Sequence, residues 1–321
     1  MINKSLTLVV LFATVAMAQA PNKELYQHLQ DVSVTVKSFA GEGSGVIVTR
    51  EITTSNGKKE KVNFVWTAAH VVDGLRSVRT VIKDGRPTKI VEFKDAQIVK
   101  ELVESGRRVG EIKMEAKVIK YSDADNGEDL ALLMIRKKGF IDKTTIFHAP
   151  DDSVPIGTEL YHVGSLLGQV GSNSMTRGIL SQIGRVLDLG TGDGVIFDQT
   201  SCPGFPGSSG GGVFLSERTK GHEGHYVGML VRGAGETFNL IVPVRRMRKY
   251  AKSSGVLWAI DQNAPAPTYD SILKLSIEGT INPKGRGGKS SSGSAQFPFL
   301  FRHATTPQQI SPFLPRRPIE D

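Results

Sequence analysis

Three short segments far apart in the 321-residue chain constrain it more than any other feature: Thr67-Ala68-Ala69-His70, Asp129-Leu130-Ala131-Leu132-Leu133 and Gly207-Ser208-Ser209-Gly210-Gly211. His70 ends an apolar run that begins at Val65, Asp129 opens an apolar strand-like run, and the serines sit in a glycine-rich turn. A serine hydroxyl is a weak nucleophile unless an imidazole takes its proton, and that imidazole works best when a buried carboxylate fixes its tautomer. A chain that uses all three must fold so that the ends of distant segments converge. Each segment alone has an ordinary reading: a satisfied core histidine, a turn aspartate beside Asp123, Asp125 and Glu128, and a flexible Gly/Ser turn. Their conjunction in the order His, Asp, Ser separates this chain from those readings.

The segments between them are short, β-branched and alternating, with turn signals such as Ser55-Asn56-Gly57-Lys58, as expected of antiparallel barrels. The fold class expected is all-β with few helices. A short helix is expected near Leu25 to Leu29, and Arg245-Arg246-Met247-Arg248-Lys249-Tyr250-Ala251-Lys252 reads as a closing helix with a basic exposed face.

With those motifs in place, the chain resembles the chymotrypsin-like serine peptidases, and among them the bacterial trypsin-like peptidases related to the HtrA (Deg) proteases. The resemblance runs over about residues 32–244. Gly43-Ser44-Gly45-Val46-Ile47-Val48 is similar to the glycine-rich first barrel strand, and 65–72 to the strand and turn carrying the histidine. Residues 157–164 and 177–181 resemble the opening strands of a second barrel, and Tyr226-Val227-Gly228-Met229-Leu230 and Asn239-Leu240-Ile241-Val242-Pro243 its closing pair. The resemblance implies two six-stranded antiparallel β-barrels with a short C-terminal helix. It also implies His70, Asp129 and Ser209 as a catalytic triad, Ser209 being preferred to Ser208 by its Gly-x-Ser-Gly-Gly spacing. Ser208 stands where digestive enzymes carry an aspartate that pairs with a newly cut N-terminus, so no such activation switch is expected.

The glycines at 207, 210 and 211 permit a tight turn in which the backbone N–H groups of Gly207 and Ser209 converge on one point, an oxyanion hole. One such donor is typically worth about 3 kcal/mol of barrier. The resemblance places the substrate pocket at Pro203 and Gly204, at Val231, Arg232 and Gly233, and around Leu240, with Cys202 as a small wall residue. Pro203 replaces the aspartate of the trypsin branch, so cleavage after Lys or Arg is not expected, and a small or aliphatic side chain fits better. Arg232 either recruits an acidic side chain or lies solvated beside Glu236. The backbone of 231–233 is expected to pair with extended substrate as an added strand.

Lys4 followed by an apolar run from Leu6 to Ala18 reads as a secretory signal peptide cut after Ala18, with Pro21 disfavouring a cut after Ala20. That places the mature chain in the periplasm or outside the cell, with no membrane attachment. Its one cysteine permits no internal disulfide, so stability must come from burial, for which the two-barrel region is long enough. Zinc needs about four ligands and no clustered Cys/His spacing supplies them; His222 and His225 flank a glycine-rich loop and either bind a metal adventitiously or form an ordinary solvated hairpin loop. No cofactor or metal is expected.

The organisation expected is a signal peptide over 1–18, a peptidase domain over 19–252 and a flexible tail over 253–321, too short for the PDZ domain that HtrA-type enzymes carry there. Residues 73–121, with the charged stretch 100–113, exceed what a minimal barrel needs and read as an elaborated hairpin. The Pro/Gly/Ser-rich tail ends in aromatic and proline clusters, Gln296-Phe297-Pro298-Phe299-Leu300-Phe301 and Pro312-Phe313-Leu314-Pro315, of a kind that docks to protein partners. The net charge of +8 raises a rival: a protease fold that binds an anionic partner without cleaving. Its basic residues are scattered and lack interleaved aromatics, so no specific nucleic acid is expected and the partners are protein or peptide substrates. An esterase using the same triad is disfavoured because Ser209 is not in a strand-turn-helix elbow.

Overall fold

The computed structural model describes residues 22–278, apart from 84, 105, 126, 150–153, 189–193 and 234–236. The expected signal peptide and the aromatic and proline clusters of the tail lie outside the described residues. Helix α1 (Lys23–Asp31) leads in, its Asn22 side chain accepting the Leu25 N–H at 3.1 Å and its Leu25 and Leu29 buried. Eight strands follow: β1 (Ser33–Lys37), β2 (Glu42–Thr53), β3 (Lys59–Thr67), then, after the one-turn α2 (Ala69–Val72), β4 (Arg76–Lys83), β5 (Arg86–Phe93), β6 (Ala96–Glu104), β7 (Arg107–Ser122) and β8 (Leu130–Ile135). Six of them close into a barrel in the order β1-β2-β3-β8-β7-β6.

A linker then leads to β9 (Glu159–Leu166), β10 (Gly171–Asp188), β11 (Gly194–Thr200), β12 (Gly212–Leu215), β13 (Tyr226–Gly233) and β14 (Asn239–Pro243), which close as β10-β11-β14-β13-β12-β9. This is the two-barrel architecture that the strand pattern and the resemblance imply. The glycine-rich segment 43–48 is the second strand of its barrel, not the first. Glycine there lets the strands approach: a Cβ on Gly45 would come within 2.5 Å of Val65 Cγ1. The extra length between the histidine and the aspartate is a separate two-stranded ribbon, β4–β5, followed by the long β6–β7 hairpin.

Closing helix α3 (Val244–Ser253) follows β14 directly, and Arg245, Lys249 and Lys252 give it the basic exposed face expected of it, while its other two arginines turn inward. Arg245 makes two 2.6 Å contacts with Asp198, Arg246 reaches Glu128, and Arg248 donates to the His148 carbonyl at 3.1 Å. A guanidinium fork matches carboxylates and carbonyls that point at the helix, which is why Arg246 and Arg248 turn inward.

The segment assigned to the start of the tail is also different from its expectation. Residues 254–278 strap across the first barrel and include a second short helix, α4 (Tyr269–Leu273). Trp258, Ile260 and Ile272 are buried, Trp258 meets Phe64 edge to face at 4.8 Å, and Trp66 Nε1 donates to Ala259 O at 3.0 Å. The lack of a regular apolar period hid this strap, because it is held by isolated anchors and not by a periodic face. The boundary of the ordered domain therefore moves at least to Glu278.

Candidate active site

Strand register explains why His70 and Asp129 meet. β3 and β8 pair antiparallel with Thr67 opposite Ala131, so continuing the pairing past both strand ends sets residue 129 against residue 69, beside His70. Asp129 has φ +55, a left-handed conformation that aspartate tolerates better than most residues, and its N–H donates to Asp123 O at 3.2 Å. Both of its carboxylate oxygens then lie 3.0 Å from His70 Nδ1, and Oδ1 also accepts the His70 backbone N–H at 3.2 Å. Asp129 is only 2% exposed. An ionised carboxylate can only accept, so Nδ1 carries the proton and Nε2 keeps the lone pair that a general base needs.

Burial works against a charge on His70, but the Asp129 carboxylate, with help from Asp73, outweighs it and holds the imidazole pKa above its ordinary value, while the nearby Arg232 cation pulls it down. Burial likewise opposes the Asp129 anion, and the His70 imidazole and Arg232 overcome it, so the carboxyl titrates below its usual range. Asp73 accepts a hydrogen bond from the Tyr121 hydroxyl.

The segment carrying Ser209 joins this pair from the other barrel. β12 and β13 pair with Gly212 opposite Met229, which carries residue 209 to the level of 231–232. Ser209 is 7% exposed, and its Oγ donates to the Val231 carbonyl at 3.5 Å. Its own carbonyl accepts the Ser44 N–H at 2.7 Å. Gly210, at φ +88, is packed so closely that a Cβ would come within 2.1 Å of Ser44 O and 2.5 Å of Thr67 Oγ1, which seats the loop against the chain leading to His70.

Amides along the loop alternate in what they bind. Ser208 N–H donates to Phe205 O at 2.9 Å and Gly210 N–H to Leu230 O at 2.8 Å, while no hydrogen bond takes the N–H of Gly207 or Ser209 among the described residues. Gly207 has φ +93, and a Cβ there would meet Ser165 O at 2.3 Å. Ser208 is fully buried, and its Oγ accepts the Phe205 N–H at 3.0 Å, so a neutral hydroxyl braces the turn at the position where digestive enzymes use an ion pair.

Ser44 is a residue that motif reasoning missed. Its buried hydroxyl donates to Gly207 O at 2.7 Å and accepts the Ser165 N–H at 2.7 Å, and its carbonyl takes the Thr67 hydroxyl at 2.7 Å. One side chain of the first barrel thus fixes the Gly207–Ser209 turn of the second. Leu167 N–H adds a 2.7 Å bond to Pro206 O. The only sequence signal for Ser44 was its place between two glycines in an apolar strand.

The expected pocket residues fall into two groups. Pro203 and Gly204 flank the nucleophile turn, Thr176 Oγ1 donating to Pro203 O at 2.9 Å and Gly204 packing against Asn239 and Leu230. Val231, Arg232 and Gly233 form the end of β13, where Arg232 and Gly233 pair with Leu240 and Asn239 of β14. Pairing of β13 with β12 stops at Met229, Leu230 still exchanges backbone bonds with Gly211 and Gly210, and from 231 on the opposite edge of β13 has no partner strand among the described residues. Two readings change. Cys202 is fully buried in the second-barrel core with Leu160, Val213 and Leu230, its Sγ donating to Leu160 O at 3.4 Å, and burial pushes its thiol up to about 11; it is a core residue and not a pocket wall. Arg232 is half-buried and donates to Ala124 O at 3.1 Å, so it braces the loop before Asp129 and is not a solvated side chain; Glu236 lies outside the described residues.

His222 and His225 are half-buried in the hairpin loop expected of them. They lie in the β12–β13 turn, and His148, from the linker between the barrels, joins them so that ligand atoms of all three lie within 4.8 Å of one another.

Comparison with known proteins identifies the family. The trypsin-like peptidase domain family matches residues 43–222, more than half of the chain and a span that contains His70, Asp129 and Ser209. The chain belongs to that family. A curated relative of this trypsin-like domain, the serine protease Do-like HtrA of Lactobacillus helveticus, is 27% identical over 175 residues, 54% of this chain and 33% of the relative. The chain thus spans about a third of that relative's length. Among solved structures, Deg5 matches with a TM-score of 0.48 at 20% identity, covering 75% of this chain and 96% of that one. The serine endoprotease from Yersinia pestis matches with a TM-score of 0.47 at 18% identity, covering 74% and 68%.

Proposed function

We propose that this trypsin-like domain is a serine endopeptidase, exported by its N-terminal segment, in which Ser209 is the nucleophile, His70 the general base and acid, and Asp129 the group that orients His70. The observation that carries the reading is the buried Asp129 carboxylate within 3.0 Å of His70 Nδ1, beside two uncommitted amides at Gly207 and Ser209. Rotation of Ser209 about χ1, from the Val231 carbonyl toward His70 Nε2, precedes attack. The Oγ–carbon bond forms as the proton passes to Nε2, and the carbonyl oxygen becomes an anion held by the N–H groups of Gly207 and Ser209. His70 then gives the proton to the leaving amine as the C–N bond breaks, and a water activated by His70 releases the acyl group. No metal or cofactor takes part.

The free edge of β13 at 231–233 suits an extended peptide added as a strand, with selectivity left to side-chain pockets. Pro203 at the pocket base favours a small or aliphatic residue before the cut over Lys or Arg. A second reading, a fold that binds peptides without cleaving them, draws on the Ser209 hydroxyl being turned to Val231 O. Digestion of an unfolded protein, followed by sequencing of the new termini, decides: cuts after small or aliphatic residues that vanish in Ser209→Ala support the peptidase, and binding without cuts supports the rival.

A further inference from the structure

From the placement of His148, His222 and His225 we infer a second site, independent of peptide hydrolysis, that binds one borderline transition-metal dication such as Zn2+ or Co2+ through three imidazoles. The ligand nitrogens lie within 4.8 Å of one another. His222 Nδ1 and His225 Nδ1 are 3.4 Å apart, and two ligands on a tetrahedral zinc with bonds of about 2.0–2.1 Å are separated by about 3.4 Å. The three rings stand at 79°, 60° and 78° to one another with centroids 5.2, 6.0 and 5.1 Å apart, so they converge edgewise instead of stacking. A side-chain shift of about 1 Å brings the third nitrogen to bonding distance.

Backbone bonds fix both sides of the site before any ion arrives. His148 N–H donates to Tyr226 O at 2.9 Å, and the His148 carbonyl takes Arg248 Nη2 at 3.1 Å. In the turn, His222 N–H reaches Thr219 O and His225 N–H reaches His222 O, each at 3.0 Å, and Leu215 N–H takes His225 O at 2.9 Å. Gly224, between the two histidines, has φ +73, and a Cβ there would come within 2.7 Å of Leu25 Cδ1 of α1, so the turn cannot shift outward. Imidazole nitrogen suits zinc, cobalt, nickel and copper, not the oxygen-seeking Mg2+ or Ca2+.

This site is separate from the proposed catalytic one. His225 adjoins the first residue of β13, whereas Val231, which meets Ser209, lies five residues along it, about 17 Å at strand rise. A bound ion would staple the inter-barrel linker to the β12–β13 turn.

The test is titration of the full chain, stripped of metal, with Co2+ and then Zn2+, read by calorimetry and by the visible bands of tetrahedral Co2+. One equivalent per chain is expected, with Co2+ displaced by Zn2+. His222→Gln should weaken binding by at least about tenfold, the His222→Gln/His225→Gln pair should abolish it, and His70→Gln should leave it intact. Absence of a one-equivalent phase, or a phase unchanged in the double variant, overturns the site. Should the variants fail to fold, carbethoxylation mapping of the unmodified chain decides: Zn2+ should protect His148, His222 and His225, and protection confined to His70 overturns the proposal.

Discussion

At the scale of single residues, the reactivity of His70 is a balance among three charged neighbours that the chain brings from three places. Asp129 and Asp73 raise its pKa against burial, and Arg232 lowers it. A general base must be unprotonated, so the acid limb of kcat/KM should follow this imidazole and lie above the ordinary value of about 6.5. Asp73→Asn removes a raising charge and should move that limb to lower pH, whereas Arg232→Gln removes a lowering one and should move it to higher pH. Shifts of both limbs in the same direction, in pH–rate profiles with a small-residue peptide, would show that charge on His70 is not what these residues control. Asp129 and Ser209 were readable from the sequence because their motifs are local. Asp73 and Arg232 were not, since their influence depends on a register and a loop brace that no spacing announces.

At the scale of elements, the two barrels are joined through buried polar contacts on the nucleophile turn. Ser44 of β2 holds both Gly207 O and Ser165 N, and its removal leaves two buried groups unpaired at about 1–3 kcal/mol each. Ser44→Ala should therefore lower Tm and reduce kcat with little change in KM, because it loosens the oxyanion turn and leaves the β13 edge alone; an effect on KM only would contradict this. His162 of β9 packs behind the same turn, its Nδ1 3.1 Å from Gly212 O. Burial drives its pKa down from 6.5 to about 4 despite that hydrogen bond. The unfolded chain therefore takes up a proton that the folded chain refuses, and stability falls as pH drops from about 7 to about 4, by about 3 kcal/mol from this residue. His70, with a raised pKa, acts oppositely, contributing stability in acid that is lost as pH rises. Urea unfolding of His162→Gln across that range should show a shallower acid loss than the parent. The strands themselves were legible as alternating segments, and the hairpin turn at Asn56-Gly57 as a turn motif. Ser44 and His162 were not, because a buried serine or histidine in a strand looks like any other until the partner barrel is in place.

For the whole molecule, the strap over residues 254–278 decides how far the folded unit extends. Arg50 of β2 anchors it with three hydrogen bonds, to the carbonyls of Trp258, Asp261 and Ala264 at 2.7, 2.8 and 2.9 Å. Arg50→Ala should cost about 3 kcal/mol and open 254–278 to limited proteolysis; an unchanged melting temperature and digestion pattern would mean that apolar contacts alone hold the strap. The two-barrel plan was legible because it repeats a simple alternation many times. The strap was not, because its apolar residues follow no regular period and its order comes from single anchors such as Trp258. The same scale bears on the net positive charge: Arg246 and Arg248 turn inward while Arg245, Lys249 and Lys252 keep a basic face on the closing helix, yet the buried Asp129–His70 pair favours the peptide-cleaving reading over the binding one.

That reading stands on whether Ser209 is an activated nucleophile, and reaction of the mature chain with a fluorophosphonate probe tests it most directly. The account predicts a single adduct, located by mass spectrometry on Ser209, lost in Ser209→Ala, strongly reduced in His70→Ala and largely retained in Ser208→Ala. A folded chain that forms no adduct, or forms it on Ser208, would contradict it.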